Sequence, residues 1–140
     1  MSTKTNETDH AKGAALAYMA EIRKLVAAND STPEAKDFDG VTAGVAMKQL
    51  ALCHEIYAGG EWQAPRKGLC SDGSRFQILL DWGGPAVRVT GTVKANGLVN
   101  EREPVGIEYQ DWGTPWTALP VTKLERMYLS DFAQRFYFGS

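Results

Sequence analysis

The sequence has little of what several classes of protein require. Two cysteines in 140 residues are too few for a disulfide framework or for a zinc site with four cysteine ligands. No apolar run approaches the roughly 20 residues that span a bilayer. The polar residues 1–10 also lack the apolar segment of a signal peptide. We therefore expect a cytoplasmic protein with a single domain over residues 1–140, and no association with a membrane.

Neither sign of charge prevails in the chain. It has 15 Lys+Arg and 17 Asp+Glu, which gives a formal net charge of −2 at pH 7. A protein that grips nucleic acid through its phosphates needs a basic face, and this balance does not indicate one. We therefore expect no direct contact with nucleic acid.

Residues that carry catalysis are also scarce. Of the two histidines, His10 lies in the polar terminus and His54 follows Cys53 in a predicted helix, where neighbouring residues point in different directions. A Cys–His nucleophilic pair would therefore need Cys70 to approach His54 through the fold. The chain has no metal-ligand spacing and no glycine-rich phosphate loop. We expect no catalytic residues, no metal and no cofactor, and we interpret Cys53 as a small core residue. A small enzyme using these cysteines or His54 is an alternative.

Apolar spacing predicts two helices in the N-terminal part, residues 9–58. Residues 1–8 are expected to be frayed. Residues 9–29 form the first helix, with Ala15, Ile22 and Val26 on one face. The second is predicted over residues 42–57 and is stopped by Gly59 and Gly60. It is apolar on more than one side, which favours burial in the core or a contact with a second copy of the chain. A homo-oligomer is therefore one predicted assembly.

After residue 60 the spacing of apolar residues changes from that of a helix to that of a strand. Residues 61–74 have the composition of a loop, and alternating apolar residues then predict an antiparallel meander over residues 75–119. The predicted strands are residues 75–82, 86–93, 105–112 and a short one at 115–119. A helix over residues 121–136 closes the chain. The fold class is thus α+β, with two N-terminal helices, a three- or four-stranded sheet and a C-terminal helix.

Four tryptophans lie at loops or strand ends in the second half of the chain, namely Trp62, Trp82, Trp112 and Trp116. Large aromatic side chains in such places form binding surfaces, because they bury much area at low entropic cost. The alternative is that they close the edges of the sheet against the C-terminal helix. Two of them belong to a repeated D-W-G-x-P string at residues 81–85 and 111–115, and each copy is predicted to end a strand and begin a turn.

Charged and polar residues accompany the tryptophans. Arg88 lies between Val87 and Val89, so it points away from the apolar face of its strand. Beside Asp81, Glu108 and Gln110 it would form a polar patch, or else a simple cross-strand ion pair. Arg66, Lys67 and Arg75 flank the Trp62 loop, and basic residues beside an aromatic ring can hold a nucleotide. The predicted binding residues are Trp62, Arg66, Lys67, Asp81, Trp82, Arg88, Tyr109, Gln110, Trp112 and Trp116.

Three strings in the second half resemble a family of small proteins carried by phages, prophages and other mobile elements. They are FQILLDWGGPAVRVTG at residues 76–91, EYQDWGTPWT at 108–117 and FAQRFYFG at 132–139. In that family a strand ending in G-G-P-A-V-R-[IV] precedes one ending in E-Y-Q-D-W-x-T-P-W-T, and the chain finishes near F-Y-F-G. The likeness covers roughly the last 65 residues. No activity is established for the family, and the resemblance implies a mobile-element setting, where small proteins often inhibit host defences.

These observations predict a non-enzymatic binding protein that inhibits a host defence protein by occluding it, in the manner of an anti-CRISPR protein. A sponge or sensor for a small ligand, with a nucleotide held between tryptophan and arginine side chains, is the second hypothesis. The small Cys/His enzyme is the third.

Overall fold

The computed structural model describes residues 3–139 of the chain, and only the backbone of residues 3–9. Within this range three helices accompany one six-stranded antiparallel sheet, which confirms the α+β class but not the predicted strand count. The helices are α1 (Thr3–Ser31), α2 (Ala43–Leu50) and α3 (Lys123–Ala133). The strands are β1 (Cys53–Ala58), β2 (Glu61–Gln63), β3 (Ser74–Asp81), β4 (Ala86–Val93), β5 (Gly106–Gln110) and β6 (Thr117–Ala118). Their order across the sheet is β2-β1-β3-β4-β5-β6.

Helix α1 buries the face that its spacing predicts, with Ala15, Ile22 and Val26 inside the core. It begins at Thr3 rather than at the predicted residue 9. For residues 3–8 the expected fraying stays a prediction, because the end of a helix can fray. The rest of that prediction, at residues 1 and 2, lies outside the described residues. None of the described helices is long and apolar enough to cross a membrane.

The predicted second helix is wrong beyond Leu50. Ala51 has ψ 130°, which takes the chain out of the helical region, and strand β1 begins at Cys53. Strand β1 pairs with β3 in the register Cys53↔Leu79 to Ile56↔Phe76. The short apolar stretch over residues 53–57 fits the hydrophobic periodicity of a helix as well as that of a strand. It forms a strand because it pairs with β3. The apolar surplus that suggested a homo-oligomer therefore belongs to two short elements, and the premise for that assembly is lost.

The predicted loop after residue 60 begins instead with strand β2, the second strand of a hairpin with β1. Gly59 and Gly60 have positive φ values of 62° and 84°, the geometry of a two-residue turn between paired strands. They join β1 to β2, where Tyr57 pairs with Trp62. The two glycines thus turn a hairpin and do not stop a helix.

The meander of β3 to β6 follows the predicted order, and β4 matches its predicted limits. The fourth predicted strand shortens to two residues. Helix α3 begins after a capping box, in which Thr122 and Glu125 each accept a hydrogen bond from the other's backbone N–H. It ends at Ala133 rather than at residue 136, and the following segment folds back so that Phe138 packs on Phe76 with ring centroids 4.6 Å apart.

The core lies between the helices and one face of the sheet. Helix α1 contacts β4 and β5, and it also packs against α2 and α3. The sheet contributes alternate residues of its strands to this core, namely Ile56, Phe76, Ile78, Val87, Val89 and Ile107. The intervening residues point to the opposite face of the sheet, which we call the open face.

Gly91 on β4 generates a test of the core. Phe76 lies directly across from it on β3, and a Cβ atom on Gly91 would fall 2.7 Å from Cε2 of that ring. We expect Gly91→Ala to lower the free energy of unfolding by about 1–3 kcal/mol, because the ring must move in a close-packed core. Urea denaturation measures this change.

Gly106→Ala on β5 is the matched control, since a Cβ there meets no atom within 4 Å. We expect no loss of stability for this strand glycine, because alanine reduces the freedom of the unfolded chain. Equal unfolding midpoints for the two variants would contradict the close approach of Phe76 to Gly91.

Candidate functional site

The centre of the open face is Arg88 on β4. Its side chain points away from the helices, as the alternation with Val87 and Val89 predicts, yet only 7% of the residue is exposed. Burying a guanidinium group is unfavourable unless its charge and its N–H donors are compensated. The neighbouring strands provide that compensation.

Arg88 belongs to a chain of hydrogen bonds across four strands. Its Nε donates to Oε1 of Glu108 on β5 at 2.9 Å, and Nη2 lies 2.8 Å from the same oxygen. On the other side Nη1 donates to Oε1 of Gln77 on β3 at 2.8 Å. The Nε2 of Gln77 in turn donates to Oε1 of Glu55 on β1 at 2.9 Å. The predicted cross-strand ion pair is therefore present, within a larger network.

Two tryptophans cover the guanidinium group of Arg88. Its Cζ atom lies 4.1 Å from the ring centroid of Trp116 and 5.8 Å from that of Trp62. Trp62 also meets the ring of Tyr57 edge-on at 5.2 Å and lies 5.6 Å from Cζ of Arg75. Each cation–π contact contributes about 0.5–2 kcal/mol, more where water is excluded.

The surroundings of Arg88 act on its pKa in opposite directions. Burial lowers the pKa of Arg88, while the hydrogen bond and charge of Glu108 raise it and the nearby charge of Arg75 lowers it again. Arginine remains protonated in proteins, so the network holds a cation at its centre.

Two of the predicted binding residues, Asp81 of the polar patch and Tyr109, do not lie beside Arg88. A β-bulge between Leu79 and Asp81 aligns Asp81 with Val87 instead of Arg88. Burial, and then the charge of Asp81, raise the pKa of Tyr18 on α1, which places this carboxylate toward the helices. Tyr109 also pairs with Val87 and packs against the core. Neither residue accompanies Arg88 on the open face.

The basic loop residues are also separate from Trp62 in the contacts that the structure describes. Arg66 and Lys67 are exposed, and the backbone of Arg66 lies against Gly139, where an added Cβ would collide with it. The cations near the Trp62 ring are Arg75, as predicted, and Arg88. The predicted grouping with Trp62 is therefore wrong for Arg66 and Lys67 alone.

The remaining tryptophans stand at one end of the sheet. Trp82 is 64% exposed and Trp112 is 81% exposed, each in one copy of the repeated turn. Strand β4 pairs with both β3 and β5, so the β3–β4 and β5–β6 turns share an end. Together they form a groove of about 180 Å³. It is lined by Trp82, Gly83, Gly84, Ala86, Gln110, Asp111, Trp112, Gly113 and Thr114.

The four tryptophans thus divide into two pairs. Trp62 and Trp116 pack over Arg88 on the open face, so they do have packing partners, but on the side of the sheet away from the C-terminal helix that the packing alternative expects. Trp82 and Trp112 present exposed rings at the groove, and Gln110 joins them, its Nε2 donating to the Thr114 carbonyl at 2.8 Å.

The cysteines and His54 hold other positions. Cys53 is exposed, so its interpretation as a core residue is wrong. As strand neighbours, Cys53 and His54 point to opposite faces. His54 Nε2 lies 2.9 Å from the Tyr137 carbonyl, and Cys70 donates from Sγ to the Phe138 carbonyl at 2.8 Å. Both groups fix the C-terminal segment. In the described residues, no three His, Cys, Asp or Glu side chains converge to hold a metal ion.

Sequence reasoning missed three residues of the open face, namely Glu55, Tyr57 and Gln77. All three alternate with core residues on β1 and β3, which is the signal that reveals them once β1 is recognised as a strand. Comparison of the chain with protein-family models, with curated proteins and with solved structures finds no significant match.

The Arg88 network predicts a large effect of one substitution. We expect Arg88→Ala to lower the free energy of unfolding by about 2–3 kcal/mol, because it leaves Glu108 and Gln77 without their partner. The loss stays below that of a fully buried pair, since the Glu108 side chain is 26% exposed. Arg75→Ala, on the same face but exposed, should change stability by about 0.5 kcal/mol or less. Similar unfolding midpoints for the two variants would refute the network's role.

The thiols allow a chemical test of their placement. Burial raises the pKa of Cys53 and of Cys70, with Glu55 contributing at Cys53. Only the thiolate reacts, so at pH 8 both should be alkylated by iodoacetamide more slowly in the folded than in the urea-unfolded chain. Mass spectrometry should find exposed Cys53 modified before Cys70. Faster modification of Cys70 would contradict its hydrogen bond to the C-terminal segment.

Proposed function

We propose that this protein is a non-enzymatic binding protein of a phage or other mobile element, which inhibits a host defence protein by occluding its working surface. The open face carries this proposal. It combines tryptophan, tyrosine and arginine side chains, the residue types that supply most of the binding energy in protein interfaces.

The side chains of the open face have packing partners within the chain itself. Trp62 and Trp116 are held by the Arg88 guanidinium group, which is itself held by Glu108 and Gln77. A side chain that is already fixed loses little conformational entropy on binding, so such a surface favours a tight complex. Tyr57, 40% exposed, and Arg75 stand at its accessible edge and would make direct contacts.

The class of partner comes from the resemblance to mobile-element proteins over the second half of the chain. Inhibition by occlusion needs a stable complex of fixed stoichiometry in the host cytoplasm and no turnover. The formal net charge of −2 leaves the side chains, and not a strong overall field, to select the partner.

A nucleotide sponge is the second candidate, favoured by the exposed Arg75 beside the Trp62 ring. A base could stack on an aromatic ring while arginine contacts a phosphate. It has less support than protein binding, because Arg88 is already committed to Glu108 and Gln77. The enzyme alternative gains nothing from the described geometry, in which Cys70 and His54 each contact a backbone carbonyl.

Arg75→Glu tests the proposed surface. The substitution inverts a charge on the open face and removes a like charge near Arg88, so the fold should persist. We expect affinity for the host protein to fall by about tenfold or more, a loss of at least about 1.4 kcal/mol. The measurement is titration calorimetry with the defence protein that co-elutes with the tagged wild-type chain at fixed stoichiometry.

Lys48→Glu is the charge-matched control, because Lys48 is exposed on α2 on the helix side. Lys48→Glu should bind the host protein with the affinity of the wild type. Expression of either the wild type or Lys48→Glu should allow a phage to form plaques on a host that carries the defence system. Loss of binding in Lys48→Glu but not in Arg75→Glu would place the interface on the helices. A nucleotide that raises the melting temperature, with no protein partner recovered, would favour the sponge.

A further inference from the structure

We propose that the groove between Trp82 and Trp112 binds the guanidinium group of an arginine side chain on the partner protein. This inference rests on the proposed function, since the arginine belongs to the protein that the chain occludes. It concerns residues at the end of the sheet, separate from the Tyr57 and Arg75 edge of the open face.

The lining of the groove has the chemistry of a cation site. Two exposed tryptophans line it, and the electron-rich face of an indole ring attracts cations. Asp111 adds a negative charge, and its Oδ2 atom is buried without a hydrogen-bond partner among the described residues. Over the same part of the chain, no basic side chain lines the groove. The carboxylate is therefore not compensated from within the lining.

The open face shows what this combination of residues can hold. There, two tryptophans, one carboxylate and one carboxamide surround the guanidinium group of Arg88. The groove brings together the same set of four side chains, two tryptophans, one carboxylate and one carboxamide, in Trp82, Trp112, Asp111 and Gln110. One arrangement is completed by an arginine of the chain itself. The other matches an arginine supplied from outside.

Charge and shape select arginine over other occupants. A guanidinium group is planar and weakly hydrated, so it stacks on an indole ring at lower desolvation cost than an ammonium group. A phosphate would be repelled by Asp111. A proline-rich segment would use the indole rings but leave the carboxylate unpaired. The volume of about 180 Å³ suits one side-chain head group better than a folded element.

The test uses short peptides, so it does not need the partner. Matched tripeptides carry arginine, its neutral isostere citrulline, or lysine, and the indole N–H resonances of the protein are followed by NMR. We expect the arginine peptide to shift the Trp82 and Trp112 signals, with a dissociation constant on the order of millimolar. Citrulline should leave them unmoved, and lysine should bind more weakly than arginine.

Variants locate the effect. Trp112→Ala should abolish the shift of Trp82 without changing the melting temperature, because the ring is 81% exposed. Asp111→Asn should weaken binding by about two- to fivefold. Asp37→Asn, an exposed carboxylate before α2, should bind like the wild type.

Several outcomes would overturn the assignment. Equal binding of citrulline would show that charge is irrelevant, and equal binding of lysine would remove the preference for a guanidinium group. Binding of a proline-rich peptide in place of the arginine peptide, or no shift at all, would also refute it. A positive titration stands even if Arg75→Glu leaves host-protein binding intact, so the two proposals can fail separately.

Discussion

The burial of one guanidinium group sets conditions for the whole sheet. Arg88 is stable on the outer side only because β1, β3 and β5 each bring a polar side chain to the same network. These polar side chains come within hydrogen-bond distance of one another only when the four strands pair in the observed register. A slip of β4 by one residue would turn Arg88 toward the helices and bring a valine beneath the tryptophans. The register is therefore specified from both faces, by apolar packing on one and by a buried charge on the other.

Strand alternation carries much of this information in the sequence. The pattern in residues 75–93 and 105–112 predicts which residues face the helices, and it predicts the direction of Arg88. It does not predict the burial of Arg88, because the rings that cover it come from distant places. Trp62 lies on a strand with the composition of a loop, and Trp116 lies just before a two-residue strand. Their approach depends on the order of strands, which local periodicity does not contain.

The structure differs from the prediction at two other places, where the local pattern of the sequence is ambiguous or interrupted. Residues 53–58 combine apolar and polar types at a spacing that suits a helix as well as a strand, and long-range pairing with β3 decides between them. The bulge near Asp81 shifts one residue against β4, and a shift of one position is enough to send the carboxylate to the other side of the sheet. The repeated turn is visible in the sequence, but the groove arises only because β3 and β5 flank β4.

The outer strands of the sheet are short, with three residues in β2 and two in β6. A long, flat edge offers a row of unpaired backbone groups on which a second chain can add a strand. These edges offer very few such groups, so the sheet does not invite growth from either side. The consequence concerns self-association: a second copy of the chain would find only the short strands β2 and β6 at the two edges of this sheet, so continuous strand addition between copies has little backbone to pair with.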